Sequence, residues 1–127
     1  MLKIILVGIG GFAGSILRYL LSGYVQQLAK DSGFPLGTAA VNLAGCLVIG
    51  LLAQLAERHG FLTMEARLLI VIGFLGGFTT FSTFTNETMN LLRNGEVLAA
   101  LVNLHVHFVL GLAAVWLGRV LAYLLWR

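Results

Sequence analysis

Residues 73–85 read Gly-Phe-Leu-Gly-Gly-Phe-Thr-Thr-Phe-Ser-Thr-Phe-Thr, a run of glycines, hydroxyls and aromatic rings inside an uncharged stretch from Leu68 to Asn86. In a helix Phe81 and Phe84 share one face. An aromatic ring is negative on its face and positive at its edge, so rings presenting edges to a narrow path favour an anion and rings presenting faces favour a cation. Two phenylalanines at this spacing are ordinarily core. The interleaved Thr80, Ser82 and Thr83 argue for more, because they place hydrogen-bond donors beside the rings that packing alone does not require. Gly76, Gly77, Thr79 and Thr80 also weaken helical pairing, and in a bilayer the freed backbone groups must find partners in protein, an ion or a wet cavity.

Further candidates surround this run. Thr83 and Glu87 fall four apart and extend a polar edge along the same helix. Glu87 is an acid well inside an apolar segment, open to proton relay, cation binding or a partner on another helix, and its closeness to Asn90 and Arg93 equally allows an interfacial cap or ion pair. The Asn42 amide can donate to an anion or join two helices. Arg18 follows Gly14 on one helical face, where it can snorkel or set a positive potential over a path. Asn103, His107 and Gly111 recur every four residues and share a face, while His105 points elsewhere. No His, Cys or carboxylate accompanies His107 at ligand spacing, which argues against a metal there. Neither a Ser-His-Asp arrangement nor a phosphate-cradling glycine loop with lysine is present, so hydrolase and nucleotide-driven chemistry have no footing.

The elements that position these residues are membrane helices. Of 127 residues, 59% are hydrophobic and 10% charged, against about 25% charged in soluble domains. Uncharged stretches at Ile4–Leu17, Ser32–Ala56, Leu68–Asn86 and Val97–Gly118 each approach or exceed the roughly 17 to 25 residues of a spanning helix. The sequence therefore predicts one four-helix membrane domain over residues 1–127, with helices at about 4–24, 37–57, 67–92 and 97–126 and a break near 76–80. Lys3 and the apolar run after it look like the start of a signal peptide, but Gly10, Gly11, Gly14 and Arg18 interrupt that run without a clear cleavage site, so a retained helix is expected. Cys46, the single cysteine, offers neither an intrachain disulfide nor a thiolate metal site. The eight basic residues are scattered over helix ends, which points to lipid headgroups and not to nucleic acid.

Charge also bears on orientation. Lys3, Arg58, Arg67, Arg119 and Arg127 fall on the side of the termini, against Lys30, Arg93 and Arg18 on the other. Five against three is a weak bias that permits insertion both ways round. Four helices of one small chain leave little room for a hydrophilic path, so oligomerisation is expected. Gly10 with Gly14, Gly73 with Gly77, and Cys46 with Gly50 are small-residue pairs suited to close helix packing.

Taken together, Gly10-Gly11-Phe12-Ala13-Gly14 with Arg18, Gly37-Thr38 and Val41-Asn42-Leu43 with Gly45, and Gly76-Gly77-Phe78-Thr79-Thr80-Phe81-Ser82-Thr83-Phe84 resemble the Fluc (CrcB) family of bacterial fluoride channels over essentially the whole chain. The resemblance implies an all-α inner-membrane protein, an antiparallel dual-topology homodimer with two fluoride pores along the subunit interface. It implies a third helix broken near the bilayer midplane, where the backbone carbonyls of Gly76 and Thr79 hold a structural sodium ion. Phe81 and Phe84 would line the pores, with Asn42 a vestibule donor, Ser82, Thr83 and Glu87 a polar track, Arg18 a vestibule charge and His107 a pore-lining residue of the fourth helix. Gly111 falls where the family pattern leads one to expect serine. Fluoride would move passively down its gradient, relieving cytoplasmic toxicity.

Two other classes are open to a chain of this size. A small four-helix proton-coupled multidrug exporter depends on an acid in its first helix, and here no Asp or Glu precedes Asp31. A non-transporting assembly subunit needs the small-residue packing but not the cluster of Thr, Ser and Phe.

Overall fold

The computed structural model describes residues 1–60 and 62–126, without the side chain of His59; Arg127, counted above with the basic residues, lies outside the described residues. Among them the chain is all helical, and four segments are long and apolar enough to cross a membrane: Leu2–Leu28, Leu36–Arg58, Met64–Arg93 and Val97–Leu125.

Helix α1 (Leu2–Leu28) continues past residue 24 and runs into a short 3₁₀ turn, Lys30–Ser32. Gly33, at φ 64°, turns the chain with the backbone freedom that glycine supplies. Gln26 braces this link: its amide donates to the Phe34 carbonyl at 3.0 Å, and its oxygen accepts from the Gly37 N–H at 3.0 Å. Helix α2 (Leu36–His59) begins just after Pro35 and closes on Gly60, left-handed at φ 57°, a common helix stop. Helix α3 comprises Met64–Ala66, Arg67–Leu75 and Gly76–Phe78, with the middle part wound wider, as a π-helix. Its start is capped by Thr63, whose hydroxyl accepts from the Ala66 N–H at 3.2 Å.

Thr79 and Thr80 are extended, at φ −94°, ψ 157° and φ −150°, ψ 113°. Helix α4 (Phe81–Arg93) follows, and a turn with Gly95 at φ 80° leads into α5 (Val97–Leu125), which carries a second π-wound stretch at Val106–Leu110. The sequence places Gly76 and Gly77 among the residues that leave the helix, whereas both lie in the last turn of α3. The reason is packing. A Cβ at Gly77 would meet the Gly11 carbonyl at 2.6 Å and one at Gly73 the Val7 carbonyl at 2.7 Å, so these glycines let α1 and α3 touch backbone to backbone.

The same device repeats through the bundle. Gly10 and Gly14 of α1 lie against the Leu69 and Phe74 carbonyls of α3, and Gly50 and Gly118 lock α2 to α5 against the Val115 and Leu47 carbonyls. Alanine at Gly14 has no space that a side-chain rotation can open, because the opposing atoms are backbone. Gly14→Ala is expected to cost about 1–3 kcal/mol, read as a lower melting temperature in detergent, whereas Gly8→Ala, with nothing within 4 Å of its Cβ, is expected to leave melting unchanged or raised.

At the far end of α2 the Arg119 guanidinium grips Glu57 with two prongs, at 2.9 and 3.0 Å, and the Arg58 guanidinium lies 4.2 Å above the Tyr123 ring. These contacts place the C-terminal ends of α2 and α5 together. The α1–α2 link and the α4–α5 turn share the opposite end, where Gln26, Gly33, Asn90 and Asn94 face one cavity.

Candidate functional site

The site is organised around the two extended threonines. Leaving the helix strips the Thr80 N–H of its backbone acceptor, and Asn42 of α2 replaces it: its Oδ1 accepts from the Thr80 N–H at 2.8 Å, while its Nδ2 donates to the Thr80 carbonyl, the first acceptor of the helix that follows, at 3.0 Å. The Thr80 hydroxyl then caps α4, accepting from the Thr83 N–H at 3.3 Å. Those two N–H groups would serve the carbonyls of Gly76 and Thr79 in a continuous helix. Diverting them leaves these two oxygens without their helical donors. Gly76 is also exposed, with nothing within 4 Å of where its Cβ would lie. Among the described residues no cluster of three His, Cys, Asp or Glu side chains exists, so a cation held here would take hard oxygen ligands from the backbone, a donor set that fits an alkali ion.

Around this point Asn42, Gly76, Thr79, Phe81, Phe84 and His107 line one cavity of about 430 Å³. Phe81 and Phe84 meet nearly edge to face, with centroids 5.4 Å apart and planes at 66°. They differ in burial. Phe81 is 69% exposed and Phe84 2% exposed, because Phe84 is covered by the His107 ring, stacked at 4.1 Å and 24°, and by Phe108 at 79°. His107 is held by its own helix, Nδ1 lying 2.9 Å from the Asn103 carbonyl. The Asn103 side chain is fully buried and donates to the Thr88 hydroxyl at 2.9 Å, which donates in turn to the Phe84 carbonyl at 2.8 Å. This chain of bonds ties α5 to α4 directly behind the phenylalanine.

Thr83 and Glu87 open instead on a more polar cavity of about 500 Å³ at the end of the bundle, shared with Thr38, Asn90, Asn94 and Glu96. Glu87 is neither a helix cap nor a partner of Arg93: its Oε1 accepts from the Thr38 hydroxyl at 2.6 Å, and among the described residues the one ion pair is Arg119 with Glu57. Its Oε2 is buried without a partner among the described residues. Arg18 lies in a smaller cavity of about 190 Å³ with Ser15, Ser22, Thr80 and Thr83. Ser82 is exposed and lines none of these three spaces, its hydroxyl lying 3.5 Å from that of Thr80.

The three cavities share residues. Thr80 lines the first and third, and Thr83 and Thr38 line the third and the polar one. A track of hydroxyls and amides therefore runs from the end of the bundle to the aromatic pair. Sequence reasoning gave no role to Thr38 or Thr88. Each works through a partner on another helix, which periodicity within one helix cannot show.

The family described as "CrcB-like protein, Camphor Resistance (CrcB)" matches residues 5–119 of the chain. The chain belongs to the CrcB family. Among its relatives in that family, "Fluoride-specific ion channel FluC" of Methylobacillus flagellatus is 48% identical over 118 residues, covering 93% of this chain and 92% of the relative. The protein of that name from Chlorobaculum tepidum is 47% identical over 98% of this chain and 97% of its own length, and "Fluoride-specific ion channel FluC 1" of Methanosarcina acetivorans is 43% identical over 96% and 92%. With four spans in one chain, this CrcB protein is a multi-pass membrane protein.

Position 111 is where this CrcB chain has glycine against an expected serine. A Cβ there would lie 3.7 Å from the Cys46 sulfur, an ordinary contact distance. Gly111→Ser is therefore expected to fold as the parent does, with melting in detergent raised by a few tenths of a kcal/mol, on the order of the propensity difference between glycine and serine in a helix.

Proposed function

We propose that the chain is a fluoride-selective channel of the bacterial inner membrane, passing fluoride passively down its electrochemical gradient and so lowering its cytoplasmic concentration. It is a channel and not an enzyme. The near full-length similarity to proteins named as fluoride-specific ion channels carries this reading, and the chemistry of the cavities agrees with it. Fluoride is small, strongly hydrated and a good acceptor, so a pore must replace its water with donors and positive ring edges without holding it too firmly. Hydroxyls of Thr80 and Thr83 and the amide of Asn42 are such donors in the cavities, with the exposed Ser82 hydroxyl beside that of Thr80. Rings at 66° are not stacked face to face, so ring edges as well as faces are presented at this pair. Arg18 adds a positive potential near the entrance.

The working unit in this proposal is an antiparallel homodimer with two pores along its interface. Three features support it: the weak charge asymmetry, the small share of each span that the chain buries by itself, and an aromatic cavity bordered by the exposed Phe81 and Gly76. The interruption at Thr79 and Thr80 would then lie near the bilayer midplane at the contact between copies. The carbonyls of Gly76 and Thr79 would hold a structural sodium ion there, supplying positive charge where unwound backbone needs a partner. No observation favours the multidrug exporter.

Efflux from liposomes containing only this protein tests the function. Rapid fluoride release with negligible chloride release is the expected result. Proton-coupled movement of organic cations without fluoride flux would establish the exporter, and no flux of any kind the assembly subunit.

A further inference from the structure

His107 lines the aromatic cavity in a fixed orientation whose chemistry differs between its two protonation states. A carbonyl oxygen only accepts, so the 2.9 Å contact between Nδ1 and the Asn103 carbonyl places the proton of the neutral ring on Nδ1. The other nitrogen, Nε2, is then a bare acceptor, and it is buried with no partner among the described residues. Stacking on Phe84 at 4.1 Å fixes the plane of the ring, and the Nδ1 bond fixes which nitrogen faces the Asn103 carbonyl. Among the described residues the other lining side chains of this cavity are Asn42, Cys46 and Ile49 from α2, Val71, Leu75, Thr79 and Thr80 around the interruption, and Phe81, Phe84 and Phe108. Cys46 is thus the other titratable group facing the space, and no charged side chain faces it. Glu87, one turn beyond Phe84 on α4, is engaged by Thr38 in the neighbouring cavity.

A neutral His107 therefore sets a lone pair against an anion, in a cavity where passage depends on donors. Addition of a proton at Nε2 converts the same atom into a charged N–H donor while leaving the Nδ1 bond intact. The Phe84 ring can stay stacked in both states, since an aromatic face also accepts a cation.

We propose that His107 is a proton-dependent determinant of anion passage: the neutral ring opposes fluoride at the aromatic cavity and the ring protonated at Nε2 admits it. The proposal rests on the fluoride-channel reading above. It makes flux through this chain rise with acidity, independently of the undissociated acid that crosses lipid unaided.

The test is fluoride efflux from proteoliposomes between about pH 7.5 and pH 5.5, the range in which histidine changes charge, with release from protein-free vesicles subtracted at each pH. The parent is expected to gain about threefold or more on acidification. His107→Gln, which offers an amide donor at every pH, is expected to lose the dependence and conduct near the acid level, and His107→Leu to lose it and conduct poorly. A flat parent profile, or a pH dependence that survives in His107→Gln, overturns the proposal. A second measurement needs no flux. Nitrogen NMR of the reconstituted protein with labelled histidine is expected to show, at neutral pH, a proton on Nδ1 of His107 and none on Nε2. The opposite tautomer overturns the proposal, while absence of fluoride flux at every pH with the expected tautomer removes the channel reading instead.

Discussion

Asn42→Leu is expected to abolish fluoride flux and to lower the melting temperature sharply. Both bonds of the Asn42 amide end on the same peptide group, the N–H and the carbonyl of Thr80. Leucine fills a similar volume but serves neither. The Thr80 carbonyl, which still accepts within α4, loses its second donor, and leaving the half-buried Thr80 N–H without an acceptor costs about 1–3 kcal/mol. That is large beside the total stability of a small domain, about 5–15 kcal/mol. The loss falls on the segment that sets where α4 begins, so the capping hydroxyl of Thr80, the carbonyls of Gly76 and Thr79 and the direction of Phe81 all shift with it. Asn42→Asp separates the two halves of the interaction. It keeps an acceptor for the Thr80 N–H but sets a carboxylate against the Thr80 carbonyl, and is expected to lie between the parent and Asn42→Leu in melting. A leucine variant that melts and conducts like the parent would show that the bracing does not matter.

The second large effect concerns the rings. Phe84→Ile and Phe81→Ile are both expected to reduce fluoride efflux by about tenfold or more, equivalent to about 1.4 kcal/mol at the barrier, yet they should differ in stability. Phe84 is buried between His107, Phe108 and Phe81, and its truncation opens a void beside the imidazole that costs about 1–3 kcal/mol. Phe81 is exposed on the isolated chain, so its replacement should leave the melting of the monomer fold nearly unchanged. Efflux measured beside melting and oligomeric state on the two variants distinguishes conduction from folding. Lost flux in Phe81→Ile with an intact fold assigns the ring to the ion or to the partner copy. Unchanged flux in both variants would remove the aromatic pair from the mechanism.

These effects depend on residues that the sequence located but did not connect. Phe81 and Phe84 were legible as a pair from their spacing, and the structure places them in contact. Their unequal burial was not legible, because it comes from the His107 and Phe108 rings on α5. Likewise Asn103, His107 and Gly111 were legible as one face, and the π-wound stretch at Val106–Leu110 keeps that face facing α2 and α4 by offsetting the drift of an α-helix against an every-four-residue pattern. Nothing in the local sequence announces the wider winding. Asn42 shows the limit most plainly. An amide in an apolar helix is a signal that a partner exists, but donor to an anion and glue between helices were equal readings of it. The structure gives half of its hydrogen-bonding capacity, one donor and one acceptor position, to Thr80.

What the sequence by itself determined is the solvent and the architecture. Four long apolar stretches separated by short polar links can satisfy their backbone in a bilayer only as helices, and the glycine spacing marked the faces on which those helices approach. Tertiary structure alone decided where the helical pattern is given up and what replaces it. Gly77, permissive by local propensity, stays helical where α1 packs against this end of α3, and Gly76 precedes it in the same turn. Thr79 and Thr80 leave because Asn42, from another helix, supplies the acceptor that the continuing helix would have given the Thr80 N–H. Local sequence lists which groups can bond. Only the fold brings a distant amide within 3.0 Å of the peptide that needs it.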